Sequence, residues 1–307
     1  LHRTTFQLKP VPPFRLDLTV WVLRRRSHNL VDRWDGGTYR RVLVVQGQAV
    51  EVAVTQTGPA ESPRLLVEAG HTQPQKEVRA ILTPVLTKML GINAGLADFY
   101  RLAEADERLG PLVARWRGFK PPRYPSVFEA LVNAIAGQQI SLTLAIHLLN
   151  RLATSYGPVF PGAGEPLRAF PGPMDLANLE PEAFRTLGFS HSKGRAIIGV
   201  ARGLTTGSLD LEDLENMEEP EAVTRLMGLK GVGRWSAEYV LLRGLGDWDI
   251  FPGDDAGARR HLEKWLKQDD PLDYEGVRRI LRLMADKKAS DVYLSANAPA
   301  MDRARSQ

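Results

Sequence analysis

The chain contains no cysteine. Disulfides, thiolate nucleophiles, zinc–thiolate sites and cysteine-ligated iron–sulfur clusters are therefore excluded together, and an intracellular location is the simplest expectation. Long apolar runs are missing as well. Stretches such as 42–45 and 240–242 fall far short of a bilayer, so no membrane association is expected. The N-terminal region has no apolar core followed by a small-residue cleavage site, and no secretory signal is read there. Neither an internal repeat nor a low-complexity tract interrupts the chain.

What is present describes a globular protein of two or three packed subdomains: 307 residues, 43% hydrophobic and 25% charged. The net charge is only +4, but it is unevenly placed. Residues 1–50 carry nine Lys/Arg against three Asp, whereas residues 207–222 carry seven acids and no base. A basic face suits a polyanion, because neutralising phosphates releases counterions.

β-Formers with turn signals fill the chain to about Gly70. Alternation over 16–22 predicts a strand, Asp35-Gly36-Gly37 predicts a turn, and two further strands are predicted over 39–45 and 49–55. From Lys76 onward the period becomes helical. Ser126, with Glu129 three residues on, predicts a capping box opening a helix whose apolar positions Val127, Phe128, Leu131, Val132 and Ile135 share one face. Later helices are expected over 181–187, 193–205, 219–227, 234–245, 255–267 and 274–286, and the proline-rich stretch 158–173 reads as a loop. The expected fold class is α+β: an N-terminal antiparallel β subdomain (1–75), an all-α body (76–281) and an atypical C-terminal tail (282–307).

Two segments of that body carry chemistry. Leu226-Met227-Gly228-Leu229-Lys230-Gly231-Val232-Gly233-Arg234-Trp235-Ser236 ends one helix, makes a tight hairpin and starts another. Gly231 and Gly233 permit positive φ and leave no Cβ in the way, so backbone N–H groups can approach a phosphate. The second helix aims its N-terminus at the same point. Further on, Phe251-Pro252-Gly253-Asp254-Asp255 bends the chain and opens a helix with paired carboxylates. Such a residue serves as an N-cap, and an anionic one beside a stretched glycosidic bond stabilises an oxocarbenium-like sugar.

Hairpin, Gly-Val-Gly and Asp-initiated helix together resemble the helix-hairpin-helix/Gly-Pro-Asp superfamily of DNA glycosylases, and within it the 3-methyladenine glycosylase II branch. Tyr124-Pro125-Ser126-Val127-Phe128-Glu129, Gly137-Gln138-Gln139-Ile140-Ser141 and Leu187-Gly188-Phe189-Ser190-His191-Ser192-Lys193 fit the same resemblance. It implies Asp255 as the catalytic carboxylate, with Asp254 as its support or helix cap. It also implies an all-α helix-hairpin-helix glycosylase body, double-stranded DNA containing damaged bases as partner, a monomer, and a cytoplasmic, nucleoid-associated setting in a bacterium or archaeon. Gly231, Gly233, Arg234, Ser236, Ser192 and Lys193 become phosphate contacts. No cofactor, side-chain metal site or iron–sulfur cluster is expected beyond a structural Na+ or K+ on hairpin carbonyls from Leu229 to Gly233.

Position 235 sets the reaction subtype. Bifunctional members carry a lysine there, whose amine forms a Schiff base and leads to strand cleavage. Trp235 instead implies base release that leaves the abasic site intact. Trp235 and Tyr239 are one helical turn apart and can line one pocket, where electron-rich rings favour cationic alkylated purines such as 3-methyladenine and 7-methylguanine. The register of the resemblance points to Gln139, with Gln138 beside it, as the wedge that fills the gap left by a flipped base. An amide pair capping the next helix fits those two residues equally. The tail departs from the family, with one aromatic residue, Tyr293, and no tryptophan. It implies a thinner pocket wall and, as the alternative reading, a non-catalytic damage-DNA-binding relative. Ala256, where some relatives have an aromatic residue, implies a more open pocket.

Overall fold

The structure is a computed structural model and describes residues 2–72, 77–162, 166–267 and 270–278. The tail over 282–307, Tyr293 and the end of the helix expected over 274–286 lie outside the described residues.

Five antiparallel strands form the N-terminal sheet: β1 (His2–Leu8), β2 (Arg33–Asp35), β3 (Thr38–Val45), β4 (Gln48–Gln56) and β5 (Leu65–His71), in the order β1-β5-β4-β3-β2. Gly36 and Gly37, both at positive φ, close the β2–β3 hairpin where the turn was expected.

The strand expected over 16–22 is a helix, α1 (Leu16–Arg24). Alternation and helical spacing coincide in this short stretch. Leu16, Thr19, Val20 and Leu23 are buried, an i, i+3, i+4, i+7 face that packs on the sheet. Burial of that face outweighs the β preference of Val and Thr. Thr19 also fits the helix, since its hydroxyl donates to Arg15 O at 3.0 Å and accepts from Lys120 N at 3.1 Å. Helix α2 (Val78–Met89) adds Val78, Leu82, Leu86 and Met89 to the same core, which runs on to Ile92.

The α body follows as α3 (Ala97–Glu104), α4 (Leu109–Trp116), α5 (Val127–Gly137) and α6 (Leu142–Tyr156), then α7 (Pro173–Leu176), α8 (Pro181–Thr186), α9 (His191–Thr206), α10 (Glu219–Met227), α11 (Arg234–Val240) and α12 (Ala256–Leu266). Between α6 and α7 the segment read as a loop also makes a two-stranded ribbon, β6 (Val159–Phe160) with β7 (Leu167–Arg168). Phe160 of that ribbon packs with Val42 on the sheet, and Gly70 leaves room for its ring: a Cβ there would sit 3.2 Å from the ring edge.

α5 is the central element. Every residue from Phe128 to Ala136 is buried, so the one-sided face expected for it is corrected to burial all round. α6, α9 and α11 all pack against it, and this is why Glu129 and Asn133 can be buried polar groups only with partners. Ser126 caps the helix as expected, accepting from Glu129 N at 3.1 Å. The reciprocal half of the capping box is absent. The Glu129 carboxylate instead accepts from Arg41 of β3, at 2.5 and 2.6 Å, because a buried guanidinium outcompetes a solvent-facing backbone N–H for an anion.

Candidate active site

A cleft of about 800 Å³ lies between the start of α12, the face of α11, the α5–α6 turn and the end of α1. Asp255 caps α12. One carboxylate oxygen accepts from Gly257 N and Ala258 N, both at 2.9 Å, and the other accepts from the indole N–H of Trp235 at 3.0 Å. Three N–H donors around one half-buried carboxylate hold it in a single orientation at the cleft wall. Asp254 is exposed. Its carboxylate sits 3.6 Å from the Arg259 guanidinium and takes no part in the cap.

Trp235 and Tyr239 share the cleft as their spacing implied, but they stack on one another, with centroids 5.3 Å apart and planes 23° apart. Stacked in this way, they leave no space between them for a third ring. The row continues to Tyr124, whose hydroxyl lies 2.9 Å from that of Tyr239. Burial pushes the Tyr124 phenol well up from its usual range, so its hydroxyl stays neutral.

The hairpin joins α10 to α11. Gly231 takes φ 85 and Gly233 takes φ −94 with extended ψ, so only the first glycine uses the left-handed freedom expected of both. The second offers open space, since a Cβ there meets nothing within 4 Å. At Gly231 a Cβ would sit 2.8 Å from Cβ of Ala196. Gly231→Ala is expected to cost about 1–3 kcal/mol through φ strain and to weaken duplex binding. Thermal unfolding and a DNA titration check this, and an unchanged melting temperature would show that the hairpin does not require this backbone.

Gln138 donates to Gly231 O at 2.9 Å and to Ser236 Oγ at 2.8 Å. Through its amide nitrogen it ties the α5–α6 turn to the hairpin, and the residue also lines the cleft. Ser236 is only 2% exposed, so the phosphate contact expected of its hydroxyl is replaced by this inward bond. It lies in the first turn of α11. Lys193 is likewise turned inward, donating to Ala136 O at 2.9 Å and Gln138 O at 2.7 Å. It caps the carbonyl end of α5, and desolvation pulls its ammonium down from the ordinary lysine range. Ser192 is exposed, its hydroxyl 3.1 Å from that of Ser190, the actual cap of α9. Arg234 is exposed with its guanidinium 5.0 Å over the Tyr274 ring. Gln139 is exposed at φ 56, and no hydrogen bond to its side chain is present among the described residues.

Sequence reasoning missed the far wall. Trp21, Val22 and Arg25 of the N-terminal subdomain line the cleft, with Asn133 and Arg243 beside them. No local signal marked them, because α1 was read as a strand. Among the described residues no group of three or more His, Asp or Glu could hold a metal ion, and no helix is long and apolar enough to cross a membrane.

A carboxylate held at a helix start, an aromatic cleft and a glycine hairpin together are the set of features on which the resemblance to DNA glycosylases rests. Comparison with known proteins gives the family. Residues 132–286 match the HhH-GPD superfamily base excision DNA repair protein family. A DNA-3-methyladenine glycosylase of Bacillus subtilis (strain 168) is 30% identical over 208 residues, 68% of this chain and 63% of that protein. DNA-3-methyladenine glycosylase 2 of Escherichia coli (strain K12) is 33% identical over 197 residues, 60% of this chain and 69% of that protein. The solved 3-methyladenine DNA-glycosylase of Archaeoglobus fulgidus superposes with a TM-score of 0.82 at 28% identity, over 95% of this chain and 97% of that one. This chain belongs to the HhH-GPD superfamily of base excision DNA repair proteins.

Proposed function

We propose that the protein is a monofunctional DNA glycosylase that excises alkylated purines, of the 3-methyladenine and 7-methylguanine type, from double-stranded DNA. The observation that carries this is the Asp255 carboxylate, fixed by the α12 N–H groups and the Trp235 indole on the wall of an aromatic cleft. A flipped base stacks on Trp235 and Tyr239, and its C1′ comes beside Asp255. The carboxylate stabilises the oxocarbenium-like sugar as the N-glycosidic bond lengthens, and water completes hydrolysis. No amine occupies position 235, so no Schiff base forms and the abasic strand stays whole.

The remaining parts support duplex capture. Gln139, exposed at the α5–α6 turn, serves as the wedge, and Gln138 positions that turn. The hairpin N–H groups of Gly231, Gly233, Arg234 and Trp235 take the phosphate. Leu229 O and Gly231 O already accept from Val232 N and Gln138 Nε2. Each keeps a lone pair, which fits a monovalent cation shared with that phosphate. We place the protein as a monomer acting on nucleoid DNA in the cytoplasm.

Incubation with duplex DNA carrying 7-methylguanine or 3-methyladenine tests the proposal. Free base, an intact abasic strand and no covalent adduct on borohydride treatment are expected. Persistent duplex binding without base release removes the enzyme and leaves a damage-binding relative. A trapped adduct removes the monofunctional assignment.

A further inference from the structure

The Asp255 carboxylate takes its donors from two elements. Gly257 N and Ala258 N belong to its own helix α12, and the third donor is the Trp235 indole of α11. Its orientation therefore depends on how the turn at 252–255 sits against α11. That turn is closed by Asp255 N donating to Pro252 O at 2.9 Å, and Pro252 and Gly253 are both buried. Gly253 lies against Tyr274. A Cβ at Gly253 would sit 2.7 Å from Cδ2 and 3.0 Å from Cε2 of that ring, and 3.2 Å from Tyr274 O. The close approach is what requires glycine here.

Tyr274 is itself fixed from both sides. Its neighbours Leu272 and Val277 are buried against Leu262 of α12, and Leu272 N donates to the Glu263 carboxylate at 2.7 Å. The Tyr274 hydroxyl donates to Glu238 Oε1 of α11 at 2.5 Å and accepts from Arg278 at 2.8 Å. Arg278 in turn donates to Glu219 of α10 at 2.6 Å. Donor and acceptor capacity of the phenol are both engaged, which fixes where it sits. Glu238 is 1% exposed and lies three residues beyond Trp235 in the same helix. Its other oxygen is buried without a hydrogen-bond partner among the described residues, so Tyr274 meets the one oxygen that is bonded. The tyrosine thus joins the helix that carries Trp235 to the turn that carries Asp255.

We propose that Tyr274 is a positioning residue for base release. Clamped to α11 through Glu238 and laid on Gly253, it holds the turn where the Asp255 carboxylate reaches Trp235. Tyr274 stands outside the cleft lining and acts only through Asp255, so its effect on catalysis rests on the proposed glycosylase reading.

Three measurements on the same variants test this: single-turnover release of 7-methylguanine at saturating protein, duplex affinity, and the proton–nitrogen NMR signal of the Trp235 indole, assigned by its loss in Trp235→Phe. Tyr274→Phe keeps the ring on Gly253 and removes the hydroxyl, and Tyr274→Ala removes both. Release is expected to fall by about ten- to a hundredfold in Tyr274→Ala, the scale of a misplacement of about 1 Å. The fall in Tyr274→Phe is smaller, and affinity changes by far less than the rate in either. The indole signal is expected to move upfield in both as the bond to Asp255 weakens. A tyrosine that serves the fold alone would lower the melting temperature and leave the saturated rate and the indole signal where they are, and that result overturns the proposal. Gly253→Ala addresses the other half of the contact. It is expected to slow release by itself and to cost less in the Tyr274→Ala background, because the ring it would strike is gone. Additive losses overturn the proposal too. If Tyr274→Ala does not fold, Tyr274→Phe decides by the same readouts. If the unaltered protein releases no base, the glycosylase reading fails while the clamp is still tested: a displaced indole signal in Tyr274→Phe upholds it, and an unmoved one removes it.

Discussion

Asp255→Asn is expected to lower base release by at least about a hundredfold, the scale of losing one preorganised charge contact to a transition state, while duplex binding survives. The substitution keeps volume and capping ability, since Asn caps helices as well as Asp does. Its amide oxygen can take over the bonds from Gly257 N and Ala258 N. The amide NH2 then faces the Trp235 indole N–H, one donor against another, where Asp255 offers an acceptor at 3.0 Å. The negative charge beside the sugar is gone in either rotamer. Release of free base under single-turnover conditions reads the chemistry, and fluorescence anisotropy on the same duplex reads binding. Unfolding curves that overlay within about 1 kcal/mol, the scale of a cap, would show that the fold is intact. Release at the unaltered rate would reassign the chemistry away from Asp255.

Arg41→Met is expected to destabilise the fold by about 3–5 kcal/mol, the cost of leaving buried charges without their partner. The Arg41 side chain is 1% exposed and lies between Asp32 at 2.8 Å and Glu129 at 2.5 Å. Tyr39 adds a hydroxyl donor to Asp32 at 2.6 Å. Burial works against the Arg41 charge, and the two carboxylates more than offset it, so the guanidinium is held charged. Burial also pushes the Glu129 carboxyl up, against the pull of Arg41. In Arg41→Met the main downward pull is gone, and the push of burial and of Asp32 is opposed only by the smaller pull of Arg25. A carboxyl whose folded-state pKa lies above its unfolded value gives stability that is full below the unfolded value and is lost as pH rises through the folded one. The deficit of the variant is therefore expected to be largest at neutral pH and to shrink as pH falls toward the carboxylate range. Denaturant unfolding at several pH values measures it. A triple variant that also carries Asp32→Asn and Glu129→Gln should recover much of the loss, because no charge is then buried alone. A pH-independent deficit would locate the cost in packing and not in charge.

The same network shows where sequence reasoning stops. Ser126 as a cap, the positive φ of Gly36, Gly37 and Gly231, and Asp255 opening α12 were all legible, because each depends on neighbours within a few residues. The reciprocal use of Glu129 in its capping box was legible too, and it was wrong. Its partner stands 88 residues away, on strand β3 of the N-terminal sheet. Lys193 and Ser236 followed the same pattern. Both looked like surface donors at helix starts, and both are turned inward by carbonyls and amides of the α5 end.

That an aspartate of the 254–255 pair opens a helix near an aromatic helix face was determined by the sequence, since an N-cap, a helical repeat of 3.6 and a glycine hairpin are short-range physics. So was the absence of thiol chemistry and of a lysine at position 235. The cap expected of Asp254 is made by Asp255 instead. The tertiary structure alone decided that 16–24 is a helix, that Gln138 bridges while Gln139 is exposed, and that the cleft has a cationic far wall. Arg25 meets Asn133 across 108 residues of chain. A contact of that separation leaves no trace in local pattern. It exists because burial of α1 on the sheet and of α5 at the centre of the body carries both side chains to one place.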